Sequence, residues 1–254
     1  MRLNAYQLKC LAIVGMFTNH AVIALHEVIP FALQFPLFAL GGLTFPIMAF
    51  FVVEGYKHTS NLKRYIGRLV IFGVLAQLPY MLAFREMGMR LNIMFTIILG
   101  LLLLLAYDRL KNRVLFWVLF ALALVVSTGF DWPVIGVIVV ILYRVISNES
   151  TRRVWPSVAA GIAMLITGIP PLFMLNSPQV QAQLEATGVD ANFMIVNATF
   201  MIGCFAAAFF VRGFNGERGK QSRWLFYVFY PLHLAVLGAI ALALGLTSFW
   251  MFGL

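Results

Sequence analysis

The chain has 254 residues, of which 62% are hydrophobic and 11% charged, with a mean hydropathy of +0.94. That balance excludes a water-soluble domain and predicts an all-α, polytopic membrane bundle forming one domain over residues 1–254. The net charge of +9 would suggest nucleic acid in a soluble chain; here it belongs to loops beside the lipid bilayer, and no nucleic-acid partner is expected.

The first apolar run, residues 6–25, predicts helix 1. It imitates a signal peptide, but it lacks a small-residue cleavage site and contains His20, so it reads as a mature helix. Helix 2 is expected at 36–56, with Gly41-Gly42 and Pro46 permitting close packing or a break; residues 30–40 can also be read as a re-entrant piece. Ser60 or Asn61 is a plausible N-cap for helix 3, at 62–84. Helices 4, 5 and 6 follow at 93–107, 114–126 and 133–146, separated by a charged turn at 108–113 and a polar turn at 127–132. Helix 7 spans 154–175, loosened near Gly168 and Pro170-Pro171. Residues 176–192 are the longest polar stretch, in which 178–186 can form a short helix, serving as a lid or a plain connector. Helices 8 and 9 are expected at 193–212 and 224–244.

All Lys and Arg residues except Arg85 and Arg90 fall on alternate connections of this nine-helix scheme. The positive-inside rule then predicts a cytoplasmic N-terminus and an outside C-terminus. Cys10 and Cys204 lie in apolar segments and supply no disulfide framework.

Ionisable residues at membrane depth mark candidate sites. Lys9 and His20, eleven positions apart in helix 1, share a helix face, separated by roughly 16 Å of axial rise. His20 suits a general base, or else a packing histidine bonded across the bundle. Asn19 beside it points about 100° away. At the cytoplasmic face Lys57, Lys63, Arg64 and Arg68, with Lys9, can clamp phosphates or simply meet lipid headgroups. Arg68 lies a turn deeper and needs a partner, and Glu54 is the carboxylate nearest its depth. His233, inside helix 9 after Pro231, Gln77 and Asn92 can each line a cavity or bond between helices. No metal-ligand cluster, phosphate-binding loop or nucleophile elbow is present.

Several of these residues stand in motifs: Lys9 and His20; Gly41-Gly42-Leu43-Thr44-Phe45-Pro46; Glu54-Gly55-Tyr56; Arg64 with Arg68-Leu69; Ala76-Gln77-Leu78-Pro79-Tyr80; Asn92-Ile93-Met94-Phe95; and Phe229-Tyr230-Pro231-Leu232-His233-Leu234. In this order and spacing they resemble the TraX family of bacterial inner-membrane proteins, whose founding member N-acetylates conjugative pilin. The basic residue and histidine of helix 1 also resemble the wider transmembrane acyltransferases. The resemblance implies a transferase taking acetyl-CoA from the cytosol and passing its acetyl group to an amine or hydroxyl acceptor across the membrane: a peptide N-terminus, a sugar or a lipid. It implies His20 as the catalytic residue, with His233 and Asn19 beside it. It makes Lys9, Arg64 and Arg68 cofactor-side residues; Lys57 and Lys63 join them as members of the same basic group, and Asn92, Gln77 and Glu54 are expected on the substrate side. Where the family often has Asp and Arg, this chain has Asn19 and Gly42. A small secondary transporter and a non-enzymatic envelope or pilus assembly factor are the rival readings.

Overall fold

The computed structural model describes residues 2–84, 90–179, 181–182, 191–220 and 223–246. They are all-helical apart from two isolated bridges, Leu3 with Phe214 and Leu91 with Phe130. Helix α1 (Ala5–Leu25) opens on a reciprocal cap: the Asn4 side chain accepts from the Gln7 backbone, and the Gln7 side chain accepts from that of Asn4. The expected second helix is two, α2 (Phe31–Gly41) and α3 (Thr44–His58). The predicted break at the glycine pair is therefore present. Helix α4 (Leu62–Ala83) starts at Asn61, whose side chain caps Arg64 N–H. Then come α5 (Ile93–Arg109), α6 (Arg113–Val126) and α7 (Ile135–Val145). Helix α7 begins later than expected because Trp132 and Val134 adopt positive φ, 54° and 60°, which ends the turn on strained backbone.

A short α8 (Glu149–Arg152) precedes α9 (Trp155–Gly168) and α10 (Pro170–Phe173), so the expected helix over 154–175 is interrupted beyond Gly168. The expected eighth helix is also split, into α11 (Ala191–Ala198) and α12 (Phe200–Arg212). Thr199 lies at that split, its hydroxyl donating to the Val196 carbonyl at 2.7 Å. Helix α13 (Arg223–Ala243) closes the bundle against α4 and α1. Most of the expected helix at 178–186, and Arg85, lie outside the described residues.

Among the described residues five stretches are long and apolar enough to cross a membrane: Ala5–Leu25, Phe31–His58, Leu62–Ala83, Asn192–Arg212 and Trp224–Ala243. Helices α5, α6, α7 and α9, of 17, 14, 11 and 14 residues, are shorter than a full perpendicular span. The outer surface is apolar: Ile71, Val74, Leu75 and Leu78 on α4 and Val114, Trp117 and Val125 on α6 face outward. Such faces suit lipid rather than water.

The break between α2 and α3 seats the polypeptide against α12. A Cβ on Gly42 would stand 2.0 Å from the Phe200 carbonyl oxygen, and one on Gly203 2.0 Å from that of Ala39. The two glycines thus bring backbone onto backbone, as small residues do in membrane bundles. No side chain fits at position 42, which contributes packing and no cation. Gly203→Ala should lower stability by about 1–3 kcal/mol through overpacking. Thermal unfolding in detergent would check this, and an unchanged midpoint would mean that the contact yields freely.

Candidate functional site

Positive charge gathers at one end of the bundle, where α3, α5 and α7 terminate. There Arg144 pairs with Asp108 at 2.7 Å, Tyr56 donates to the same carboxylate at 2.9 Å, and Arg153 donates to the Phe214 carbonyl at 2.8 Å. Leu3 pairs with Phe214 beside them, which ties the start of α1 to this end. Residues 90–92 and the 127–134 turn lie at the opposite end, joined by the Leu91–Phe130 bridge.

A cavity of about 600 Å³ runs between the two ends. Lys9, Thr59, Tyr65, Arg68, Phe226 and Tyr227 line its basic end; Asn19, His20, Thr44, Phe84 and Tyr230 its middle; Asp131, Trp132, Thr167 and Asn197 its far end. Its size and mixed apolar and polar wall are those of a small-molecule site.

At the basic end, Lys9 sits over the rings of Phe51 and Phe226, at 5.0 and 5.4 Å from their centroids. The Arg68 guanidinium stands over Tyr65 and Tyr227, at 5.9 and 5.6 Å, and meets the Tyr227 hydroxyl at 3.5 Å. The carboxylate nearest in sequence depth is not its partner: Glu54 binds Lys57 at 2.9 Å on the surface. Among the described residues neither Lys9 nor Arg68 has a carboxylate partner. Aromatic faces hold these two cations in place and leave their donors open to an anion.

The middle of the cavity is ordered by a chain of hydrogen bonds from α13 to α1. The Phe229 carbonyl can only accept, so His233 Nδ1, 2.7 Å away, is the protonated nitrogen. In neutral His233 the Nε2 atom is then the acceptor, and it receives Nδ1–H of His20 across 2.7 Å. The two rings are nearly parallel, at 9°. His20 is left with its Nε2 lone pair and no other hydrogen bond to a described residue. Phe84 packs edge-on against His20, centroids 4.8 Å apart, and Phe229 stacks on His233 at 4.5 Å, so neither ring is free to turn.

Of the residues singled out in the sequence, His20, Asn19, Lys9 and Arg68 share the cavity, and His233 supports it from behind. The Asn19 Oδ1 atom is buried without a hydrogen-bond partner among the described residues. Lys57, Lys63 and Arg64 are exposed and do not line the cavity, nor does Glu54. Gln77 and Asn92 also lie outside its wall. The Asn92 side chain caps α5 through Met94 N–H and donates to Gly73 O at 2.7 Å and Gln77 Oε1 at 2.9 Å, tying α4 to the start of α5. The sequence marks 127–132 as a polar turn and gives Asp131 and Trp132 no role, yet both line the cavity. Gly129 and Pro133 bracketing Trp132 are the sequence features that accompany this turn, whose positive φ at Trp132 and Val134 only the structure shows.

Asp131 accepts the Trp132 backbone N–H at 2.9 Å. Burial pushes its carboxyl up from the ordinary 3.8 to about 6, against the opposing effects of that hydrogen bond and of Arg90. An acid with a raised folded-state pKa is held preferentially as the neutral form. Its penalty is absent below about pH 4 and grows as pH rises through about 6. Asp131→Asn should therefore match the unsubstituted chain in stability near pH 4 and exceed it above pH 6. Thermal midpoints of both across this range would check it, and a difference independent of pH would contradict it.

These features define a membrane-type helical bundle with an internal cavity, largely apolar in its wall, that carries cations at one end and a histidine in its middle. The chain belongs to the TraX family: the family model described as TraX protein matches residues 4–241. It is similar to a probable fimbrial assembly protein, FimC of serogroup H1, from Dichelobacter nodosus. The two are 31% identical over 247 residues, covering 92% of this chain and 94% of the relative. No solved structure matches the chain significantly.

Proposed function

We propose that this chain is a membrane-embedded acyltransferase that moves an acetyl group from cytoplasmic acetyl-CoA to an amine or hydroxyl acceptor on the outer side of the bacterial inner membrane. The observation that carries this reading is one cavity with two cations at one end, unpaired with any carboxylate among the described residues, and an oriented histidine lone pair farther in. The relative's name places that protein in fimbrial assembly. By extension, the acceptor here is a pilin or another envelope peptide N-terminus; the same name equally suits a non-enzymatic assembly factor.

Lys9 and Arg68 fit the phosphates of CoA, Arg68 offering a planar fork for bidentate contact. The narrow pantetheine arm matches the interval of roughly 16 Å along α1 between Lys9 and His20. Bound acetyl-CoA supplies an activated acyl group as a thioester. His20 Nε2 takes the acceptor's proton as the acceptor attacks. His233 holds His20 in the tautomer that leaves Nε2 basic, and accepts Nδ1–H when His20 becomes cationic. This arrangement supplies the orientation for which the family often uses the Asp replaced here by Asn19. For topology, the reading takes nine crossings, with α5, α6, α7 and α9 as short spans, the N-terminus cytoplasmic and the C-terminus outside.

His20→Ala should leave acetyl-CoA affinity intact and reduce acetyl transfer at least ~100-fold, the usual loss for a general base. His233→Ala should lose less. Arg68→Ala should weaken acetyl-CoA binding more than Lys57→Ala, because Lys57 is paired with Glu54 on the surface. Calorimetry with CoA release on each variant would check all three. Normal turnover in His20→Ala would sink the mechanism, and a larger binding loss in Lys57→Ala would move the phosphate site to the surface.

A further inference from the structure

The cavity wall beside His20 holds a polar group that the transfer scheme leaves unused. Tyr230 on α13 is 1% exposed and its hydroxyl is buried; the Ile93 backbone N–H faces its oxygen, and its own proton has no acceptor among the described residues. Its ring lies 6.4 Å from that of His20 and 5.7 Å from that of His233. Tyr230 and His233 are three residues apart on one helix and so share a face. A buried O–H proton left without an acceptor costs about 1–3 kcal/mol. Phenylalanine would pack in the same space without that cost, and the chain uses 24 of them. The other unpartnered atom in the cavity wall, Asn19 Oδ1, is an acceptor. Tyr230 carries a proton that it can donate.

Acyl transfer builds negative charge on the carbonyl oxygen, and a fixed donor in a site shielded from water stabilises that charge strongly. Resting on the acyl-transfer reading above, we infer that the Tyr230 hydroxyl is the oxyanion donor of this site. As the acceptor's nitrogen or oxygen bonds to the thioester carbon, His20 Nε2 takes its proton. The carbonyl π pair moves onto oxygen, which accepts the Tyr230 O–H hydrogen bond. When that pair returns, the carbon–sulfur bond breaks, and the CoA thiolate leaves with the proton from His20. Tyr230 keeps its proton throughout and is a catalytic residue by contact with the reacting oxygen.

The test is Tyr230→Phe in the full chain in detergent, with hydroxylamine as probe acceptor and CoA thiol release as readout, alongside acetyl-CoA affinity and the thermal midpoint. The expected result is a kcat lower by about 100-fold or more, an unchanged KM and affinity for acetyl-CoA, and a midpoint little changed, because the hydroxyl proton holds no bond in the resting site. Undiminished kcat would overturn the inference. So would a lowered midpoint, which would show that the hydroxyl makes a structural bond. An unsubstituted chain that releases no thiol would instead overturn the acyl-transfer reading, and the inference with it, which keeps the two failures apart.

Discussion

The contact that orders the chemistry of the cavity is the hydrogen bond between His20 and His233, 2.7 Å across the seam of α1 and α13. Alone, a histidine pair has no preferred direction. The Phe229 carbonyl supplies it, because a carbonyl cannot donate and so sets which nitrogen of each ring bears hydrogen. One backbone atom on α13 thereby decides that the lone pair of His20 is on Nε2. The same bond joins α1 to α13 beside the middle of the cavity, within a wider contact between the two helices.

The bilayer explains the rest of the arrangement. With lipid outside, cations at depth cannot be left to solvent, and pairing each with a carboxylate would neutralise it. This chain places Lys9 and Arg68 against aromatic faces, which hold the charge while keeping its donors open. Close backbone packing at Gly42 and Gly203, and the breaks between α2 and α3 and between α11 and α12, let short segments turn inside the bundle. At the far end the strained turn at Trp132 and Val134 directs Asp131 and Trp132 toward the cavity. Stacking of Trp132 on Phe45, at 4.2 Å, and the Thr96 hydroxyl on the Asp131 carbonyl hold that turn in its unusual conformation.

Much of this was legible in the sequence, and unevenly so. Apolar runs located α1, α4 and α13 within a residue or two, because length and hydropathy decide a helix in lipid. The glycine pair announced the break after α2, whereas nothing local announced the split at Thr199. Lys9 and His20 were readable as partners on one face because both lie on one helix. Arg68 was readable as needing a partner, but the partner is two tyrosine rings, one of them from a helix more than 150 positions away. The bond from His20 to His233 spans 213 positions, and no periodicity encodes it. Gln77 and Asn92, read as substrate-side residues, serve the junction of α4 and α5, since a polar residue at a helix start first satisfies the backbone beside it.

The central claim is that one cavity carries acetyl-CoA from the basic end to His20. A structure of the full chain in detergent with acetyl-CoA bound tests it most directly. The account predicts phosphates within hydrogen-bond reach of Lys9 and Arg68, and the thioester carbonyl beside His20 Nε2. Acetyl-CoA found on the outer surface at Lys57, Lys63 and Arg64, with the cavity holding none of it, would contradict the account.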